Sequence, residues 1–292
     1  MTTSLPQGVY TALVTPLTKA GEVDYPLFRT LVDWQREQGV VGMVVCGTTG
    51  EGTSLSVEER ERAIATVREC ATDLKVIAAT GCANLPETIR LSRFAQQQGC
   101  DAILVIPPFY YKGVPEDGLV AYYMRLLDAV DIPVLLYHYP DLAGVEITPA
   151  VVEGLLDYPH LMGLKDSSGN WETLLSFLLR FPRLQIFVGT ENLLADALAS
   201  GAAGCISGLA NALPELIVDL DTASRRGENT TLLHERLMAV IEAIDAVPFV
   251  SAIKQICAWR GLPEMAVRPP LRELNTQQAD TLYRVLRSLE VL

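Results

Sequence analysis

A closed (β/α)8 barrel of the α/β class, the TIM-barrel architecture, is predicted by three features of this 292-residue chain. Short apolar runs alternate with longer stretches of helical periodicity about eight times, and eight is the number of units that closes such a barrel. The runs are apolar from end to end, as parallel strands are when helices cover both faces of the sheet. The segments that follow them are not the G-x-G-x-x-G turn of a dinucleotide-binding sheet, which leaves an open doubly wound sheet as the second choice.

The elements follow in order. Residues 9–15 read as the first strand and 25–38 as the first helix, with Leu27, Leu31 and Trp34 at helical spacing. Residues 42–46 are the second strand. The helix over 56–70 opens on Ser56 with Glu59 three residues later, the pattern of a capping box. Strand three covers 76–79 and helix three 86–98, with Pro86 in the first turn, where its missing N–H does no harm. Strand four is 102–106 and helix four 116–129. Pro133 introduces strand five at 134–137, and Thr148-Pro149 opens a helix over 148–156. Strand six is 161–165, helix six 171–179, strand seven 185–188, helix seven 192–200, strand eight 204–206 and helix eight 214–225. Three more helical patterns, 230–246, 249–259 and 276–288, predict a three-helix C-terminal extension. The division expected is a barrel domain over 1–226 and an extension over 227–292 packed upon it.

Composition narrows the function. The formal charge is −12, which excludes a binder that tracks nucleic-acid phosphates with basic patches. Six cysteines, Cys46, Cys70, Cys82, Cys100, Cys205 and Cys257, lie far apart with no CxxC pair, so neither a disulfide framework nor a zinc site is expected. They read as small buried hydrophobes of a reducing, cytoplasmic compartment. The first residues, Met1-Thr2-Thr3-Ser4-Leu5-Pro6, show neither the basic nor the apolar region of a signal peptide. No apolar run approaches the length of a membrane span.

Active sites of such barrels form where the strands end. The second strand is followed by Gly47-Thr48-Thr49-Gly50-Glu51-Gly52, the fifth ends Tyr137-His138-Tyr139-Pro140, and the sixth ends Lys165-Asp166-Ser167-Ser168-Gly169. The seventh ends Gly189-Thr190-Glu191-Asn192 and the eighth Ile206-Ser207-Gly208. Lys165 stands out, one of five lysines in the chain and the only one directly at a strand end. An ordinary lysine amine, with a pKa near ~10.4, is protonated at neutral pH, and burial disfavours the charged form. A desolvated amine at the exit of a buried strand can form a Schiff base with a ketone; it can equally be a strand-end charge paired with a carboxylate. The glycine-rich Thr48–Thr49 segment suits a carboxylate, with backbone N–H groups and two hydroxyls exposed, or it is simply a tight turn. Tyr137 is either a core aromatic or an acid–base phenol beside the lysine. Tyr110 and Tyr111 read as loop, surface or interface aromatics, and His138 should point to the opposite face from Tyr137. No cluster of metal ligands is evident, so no catalytic metal is expected.

The combination of GTTGE at 47–51, Tyr137-x-x-Pro140, the lysine 28 residues after that tyrosine, and GLKDSSGN at 163–170 resembles the dihydrodipicolinate synthase / N-acetylneuraminate lyase family. The resemblance covers nearly the whole chain, C-terminal helices included. It implies a pyruvate-handling class I aldolase on a (β/α)8 barrel that needs no cofactor beyond the covalent imine formed with its substrate. Lys165 would form that imine and Tyr137 would donate and accept protons. Thr48 would link Tyr137 to a second tyrosine reaching in from a neighbouring subunit, and the spacing favours Tyr111 over Tyr110. Thr49 and adjacent N–H groups would hold the carboxylate of pyruvate, with the carbonyl of Ile206 close by. A homo-oligomer, a dimer of dimers, is implied, with no membrane and no nucleic acid as partners.

Within the family, the synthases carry an arginine two residues after the proline of the tyrosine motif, and here that position is Leu142. The tract from Tyr137 to Val145 is closer to the sugar-acid members, and residues 247–254 resemble 2-keto-3-deoxygluconate aldolase sequences. Ser167, Gly189, Thr190 and Glu191 would then face the hydroxyls of a sugar-acid chain. The expected activity is a lyase releasing pyruvate from a 2-keto-3-deoxy sugar acid or related 4-hydroxy-2-oxo acid, with an aldehyde as the other product. The alternatives are 4-hydroxy-tetrahydrodipicolinate synthase, a dehydratase using the same imine, and a non-catalytic barrel that binds 2-oxo acids.

Overall fold

The computed structural model describes residues 4–292. The expectation that no leader peptide stands at the N-terminus falls in part on residues 1–3, outside the described residues. Strands β1 (Gly8–Ala12), β2 (Gly42–Val45), β3 (Lys75–Ala79), β4 (Ala102–Val105), β5 (Val134–His138), β6 (Leu161–Asp166), β7 (Gln185–Val188) and β8 (Gly204–Ser207) pair in that order, all parallel. Strand β8 returns to β1, with Tyr10 opposite Ile206, so the sheet is a closed barrel and not the open doubly wound alternative.

The helices are α1 (Tyr25–Glu37), α2 (Val57–Cys70), α3 (Leu85–Gln97), α4 (Glu116–Leu127), α5 (Pro140–Ala143), α6 (Pro149–Glu153), α7 (Trp171–Arg180), α8 (Leu194–Ala199), α9 (Pro214–Arg225), α10 (Thr231–Asp245), α11 (Phe249–Trp259) and α12 (Thr276–Ser288). Their starts follow the side chains that satisfy the free N–H groups of the first turn. Ser56 and Glu59 form the expected capping box on α2, while Asp24, Asn84 and Asn170 each accept a first-turn N–H. Such caps contribute about 1 kcal/mol each. No helix among the described residues is long and apolar enough to cross a membrane.

Three expected boundaries are corrected. Strand β1 ends at Ala12 and not at residue 15: Val14 turns its N–H to the Asn211 side chain, 2.9 Å away, and leaves the ladder. The helix expected over 148–156 runs only Pro149–Glu153; Thr148 is its cap, and the chain turns at Gly154. The helix expected from 192 begins as a 3₁₀ turn, Glu191–Leu193, before α8. Helix α5 was not anticipated, since four residues are too few to show a period.

The core has two layers. Inside the barrel, Tyr10, Val44, Ile77, Leu104, Leu135, Tyr137, Met162, Phe187 and Ile206 fill the axis, with the rings of Tyr10 and Phe187 edge-on at 5.5 Å. A larger layer between strands and helices also takes in Leu237 and Val240 of α10, Ile253 and Ile256 of α11, and Leu286 of α12. Strand β6 carries one more residue than β5 at its start: Val134 pairs with Leu161, but Leu135 pairs with Gly163. Position 163 is held to glycine, because a Cβ there would stand 2.0 Å from the carbonyl oxygen of Gln185.

Candidate active site

Strands β5 and β6 set Tyr137 and Lys165 directly opposite each other in register, and both side chains enter the barrel. Lys165 Nζ lies 3.3 Å from Tyr137 Oη and 4.4 Å from the centre of that ring. Thr48 Oγ1, from the turn after β2, is 3.3 Å from the same Tyr137 Oη. Lys165 and Tyr137 are 5% and 4% exposed, so amine and phenol meet in a nearly dry setting. Lys165 has no carboxylate partner among the described residues. The strand-end ion pair, left open by the sequence, is therefore absent.

The nearest carboxylate in sequence, Asp166, points away from the barrel axis. It accepts from Ser168 N and Ser168 Oγ at 3.2 and 3.1 Å, and burial pushes its carboxyl up to about 6 against those two bonds. His138 lies on the same outer face, as the alternation of strand residues predicts, with its ring edge-on to Phe177 of α7. Its Nδ1 accepts the Ile147 N–H, and burial lowers its pKa to about 4, which leaves it neutral. Its Nε2 stands 3.8 Å from Asp166, beyond hydrogen-bond reach.

A cavity of about 550 Å³ opens above the lysine. Thr48, Thr49, Ser167, Gly189, Glu191 and Ile206, all singled out in the sequence, line it. Two of its hydroxyls, Ser167 Oγ and Thr190 Oγ1, are buried without a hydrogen-bond partner. Unpaired buried hydroxyls cost free energy unless something supplies a partner. Gly189 is required by close approach: a Cβ there would lie 2.0 Å from Ser167 Oγ and 2.5 Å from Lys165 Cε. Glu191 is half committed, since its Oε1 accepts from Ser207 Oγ at 2.6 Å and from Leu209 N at 3.2 Å.

The structure leaves one predicted residue apart. Tyr111 is 70% exposed, stacked edge-on against Tyr110, and makes no hydrogen bond to Thr48 or Tyr137 within this chain. Sequence reasoning missed the rim, which the C-terminal helices build from Met238 and Ile241 of α10 and Phe249 and Val250 of α11. The resemblance of residues 247–254 to aldolase sequences was a signal for the α11 part. All six cysteines are buried. Burial pushes the Cys46, Cys100 and Cys257 thiols up to about 12, which suits packing and not nucleophilic work.

A family model described as the dihydrodipicolinate synthetase family matches residues 5–289. The chain belongs to the dihydrodipicolinate synthetase family. Among similar proteins, one from Chloroflexus aurantiacus, described as an uncharacterized DapA-like lyase, is 41% identical over 95% of each chain. A 4-hydroxy-tetrahydrodipicolinate synthase of Cereibacter sphaeroides is 38% identical, over 91% of this chain and 92% of its own. Among solved structures, YagE from E. coli K12, a prophage protein of the dihydrodipicolinic acid synthase family in complex with pyruvate, superposes with a TM-score of 0.94. It is 31% identical and covers 99% of this chain and 100% of its own. As a member of the dihydrodipicolinate synthetase family, the protein is an enzyme, a carbon–carbon lyase of the aldolase type that works through a Schiff-base lysine.

Proposed function

We propose that the protein releases pyruvate from a 2-keto-3-deoxy sugar acid or a related 4-hydroxy-2-oxo acid, with Lys165 as the imine-forming amine. The observation that carries this reading is the contact of a buried, carboxylate-free Lys165 Nζ with Tyr137 Oη at 3.3 Å, itself 3.3 Å from Thr48 Oγ1. Lys165 attacks C2 of the oxo acid; water leaves, and an iminium forms. The C3–C4 bond then breaks, its electrons pass into the iminium to give an enamine, and Tyr137 takes the proton of the C4 hydroxyl as the aldehyde departs. Protonation at C3 and addition of water return pyruvate and the free amine. Thr49 and the N–H groups of its turn hold the substrate carboxylate, near the carbonyl of Ile206, through all steps.

Two features support a polyhydroxy substrate. Ser167 and Thr190 offer unpaired hydroxyls beside Lys165, and Glu191 Oε2 makes no hydrogen bond among the described residues. Leu142, in the wall of the cavity, offers nothing to a second carboxylate. The synthase reading is supported by the names of relatives such as the Cereibacter protein, and it would need a cation where Leu142 stands. A dehydratase would use the same imine. Exposed Tyr110 and Tyr111 support a dimer of dimers in which Tyr111 completes the relay of a neighbouring copy.

Incubation with pyruvate and borohydride, followed by peptide mapping, is expected to leave one adduct, on Lys165. No adduct, or an adduct elsewhere, sinks the mechanism. A panel of 2-oxo acids read out by pyruvate release tests the substrate. Turnover of aspartate semialdehyde with pyruvate, and no release from any 2-keto-3-deoxy acid, would make the protein a synthase.

A further inference from the structure

Glu51 closes the turn that carries Thr48 and Thr49, and it holds φ at 54°, the left-handed region where glycine is at ease and other residues are uncommon. Its neighbours Gly50 and Gly52 are glycines; Glu51 is not, so its side chain contributes something that backbone freedom does not. Its carboxylate is fully buried and engaged through both oxygens. Oε1 accepts from Lys254 Nζ at 2.5 Å, and Oε2 accepts the Arg268 N–H at 2.8 Å. Lys254 also donates to the Ala266 carbonyl at 2.6 Å. It sits on α11, the helix whose first residue, Phe249, packs at the cavity rim. A Cβ on Gly208 would meet the Phe249 ring at 2.8 Å and Thr49 Oγ1 at 2.9 Å, so ring and hydroxyl converge on one spot. Helix α11 thus holds the turn through Glu51 and brings the Phe249 ring up to Gly208, beside Thr49.

We propose that Lys254 is a positioning residue which, through its ion pair with Glu51, fixes the Thr48–Thr49 turn in the geometry that receives the carboxylate of the 2-oxo acid. The C-terminal helices thereby govern how tightly the acid is held, while the chemistry stays with Lys165. This inference rests on the function proposed above. A buried ion pair is not by itself a source of stability, since a well-packed apolar pair does as well or better. Its presence under a binding turn is what assigns it a task.

The test measures borohydride-trapped adduct against pyruvate concentration in wild type, Lys254→Met, and the double variant Glu51→Gln/Lys254→Met, with thermal denaturation of each. The double variant buries no charge and keeps the fold if the single one loses it. In both variants the half-saturating pyruvate concentration should rise about tenfold, the change expected for losing one hydrogen bond to a charged group. Adduct yield at saturating pyruvate should match wild type. Trapping with hydroxyacetone, a ketone without a carboxylate, should be unaffected. A folded double variant with wild-type half-saturation overturns the proposal and reduces the pair to a structural one. Loss of yield at saturating pyruvate, or an equal effect on hydroxyacetone, overturns it as well. No Lys165 adduct in the wild type overturns the functional reading first, and this inference with it.

Discussion

Lys165 and Lys254 are both almost wholly buried, at 5% and 2% exposure, yet only Lys254 faces a carboxylate. Burial drives the Lys254 pKa down, and the Glu51 carboxylate opposes that fall. Two acceptors, one of them charged, hold its ammonium in place. Lys165 meets a phenol, a ring face and a cavity. A buried charge that must remain a charge needs a partner. An amine that must become a nucleophile has to release its proton, and a carboxylate beside it would oppose that release. Within one barrel, what stands opposite the amine separates the strut from the reagent in the roles proposed above.

The sharpest way to break this comparison is to truncate each lysine. Lys165→Ala should lower kcat/KM by at least about 10⁴-fold, as removal of a covalent nucleophile does, and abolish the borohydride adduct. Its thermal unfolding should change little. Lys254→Ala leaves Glu51 buried without its counter-ion and should cost about 3–5 kcal/mol of stability, read by urea denaturation, while adduct still forms at saturating pyruvate. If both variants lost activity and stability to the same degree, the distinction would fail.

The comparison extends one residue along β5 and β6, to His138 and Asp166. His138 is held neutral with a pKa lowered to about 4, whereas the unfolded chain takes up that proton near pH ~6.5. Its contribution to stability therefore falls as pH drops from about 6.5 to 4. Asp166, raised to about 6 from 3.8, does the reverse: the folded state takes the proton first, and its contribution rises as pH drops through the same window. The two limbs oppose each other. Asp166→Asn removes the second, so the variant should lose up to about 3 kcal/mol between pH 6.5 and 4 relative to wild type. Parallel urea-denaturation profiles against pH would refute this.

The smallest effect comes from crowding Lys165, the proposed reagent, without altering its amine. Gly189→Ala places a methyl against Lys165 Cε and Ser167 Oγ. A displaced amine should lower kcat/KM by about 10²-fold, with a stability cost of about 1–3 kcal/mol for overpacking. Unchanged kinetics would mean that the amine tolerates displacement.

Local information made most of the barrel readable. Apolar runs marked the strands, and Ser56 with Glu59, and Thr148, marked helix starts, because a cap is decided within four residues. Lys165 and Tyr137 stood out as candidates because strand ends are where barrels place their chemistry. The rest depended on distance. Glu51 and Lys254 are 203 residues apart and meet only after the barrel closes. Asn211 ends β1 from 197 residues away, which no pattern in residues 9–15 records. The commitment of Glu191 Oε1 to Ser207 and Leu209 arises where two loops cross, and Tyr111 stands exposed, without a hydrogen bond to Thr48 or Tyr137 in this chain.

The additional residue at the start of β6 decides which way the amine looks. Side chains on a strand face alternate sides. Were the Val134–Leu161 pairing continued evenly, Leu164 would stand beside Tyr137, and Lys165 would turn outward to the jacket of helices. Deleting the additional residue would leave Lys165 opposite Tyr137, whereas evening out the pairing with no residue removed would reverse the parity of the strand from Met162 on. Such a protein would keep every side chain named above and present the wrong half of them to the substrate. At this strand the reading frame of the fold is as decisive as the identity of its lysine.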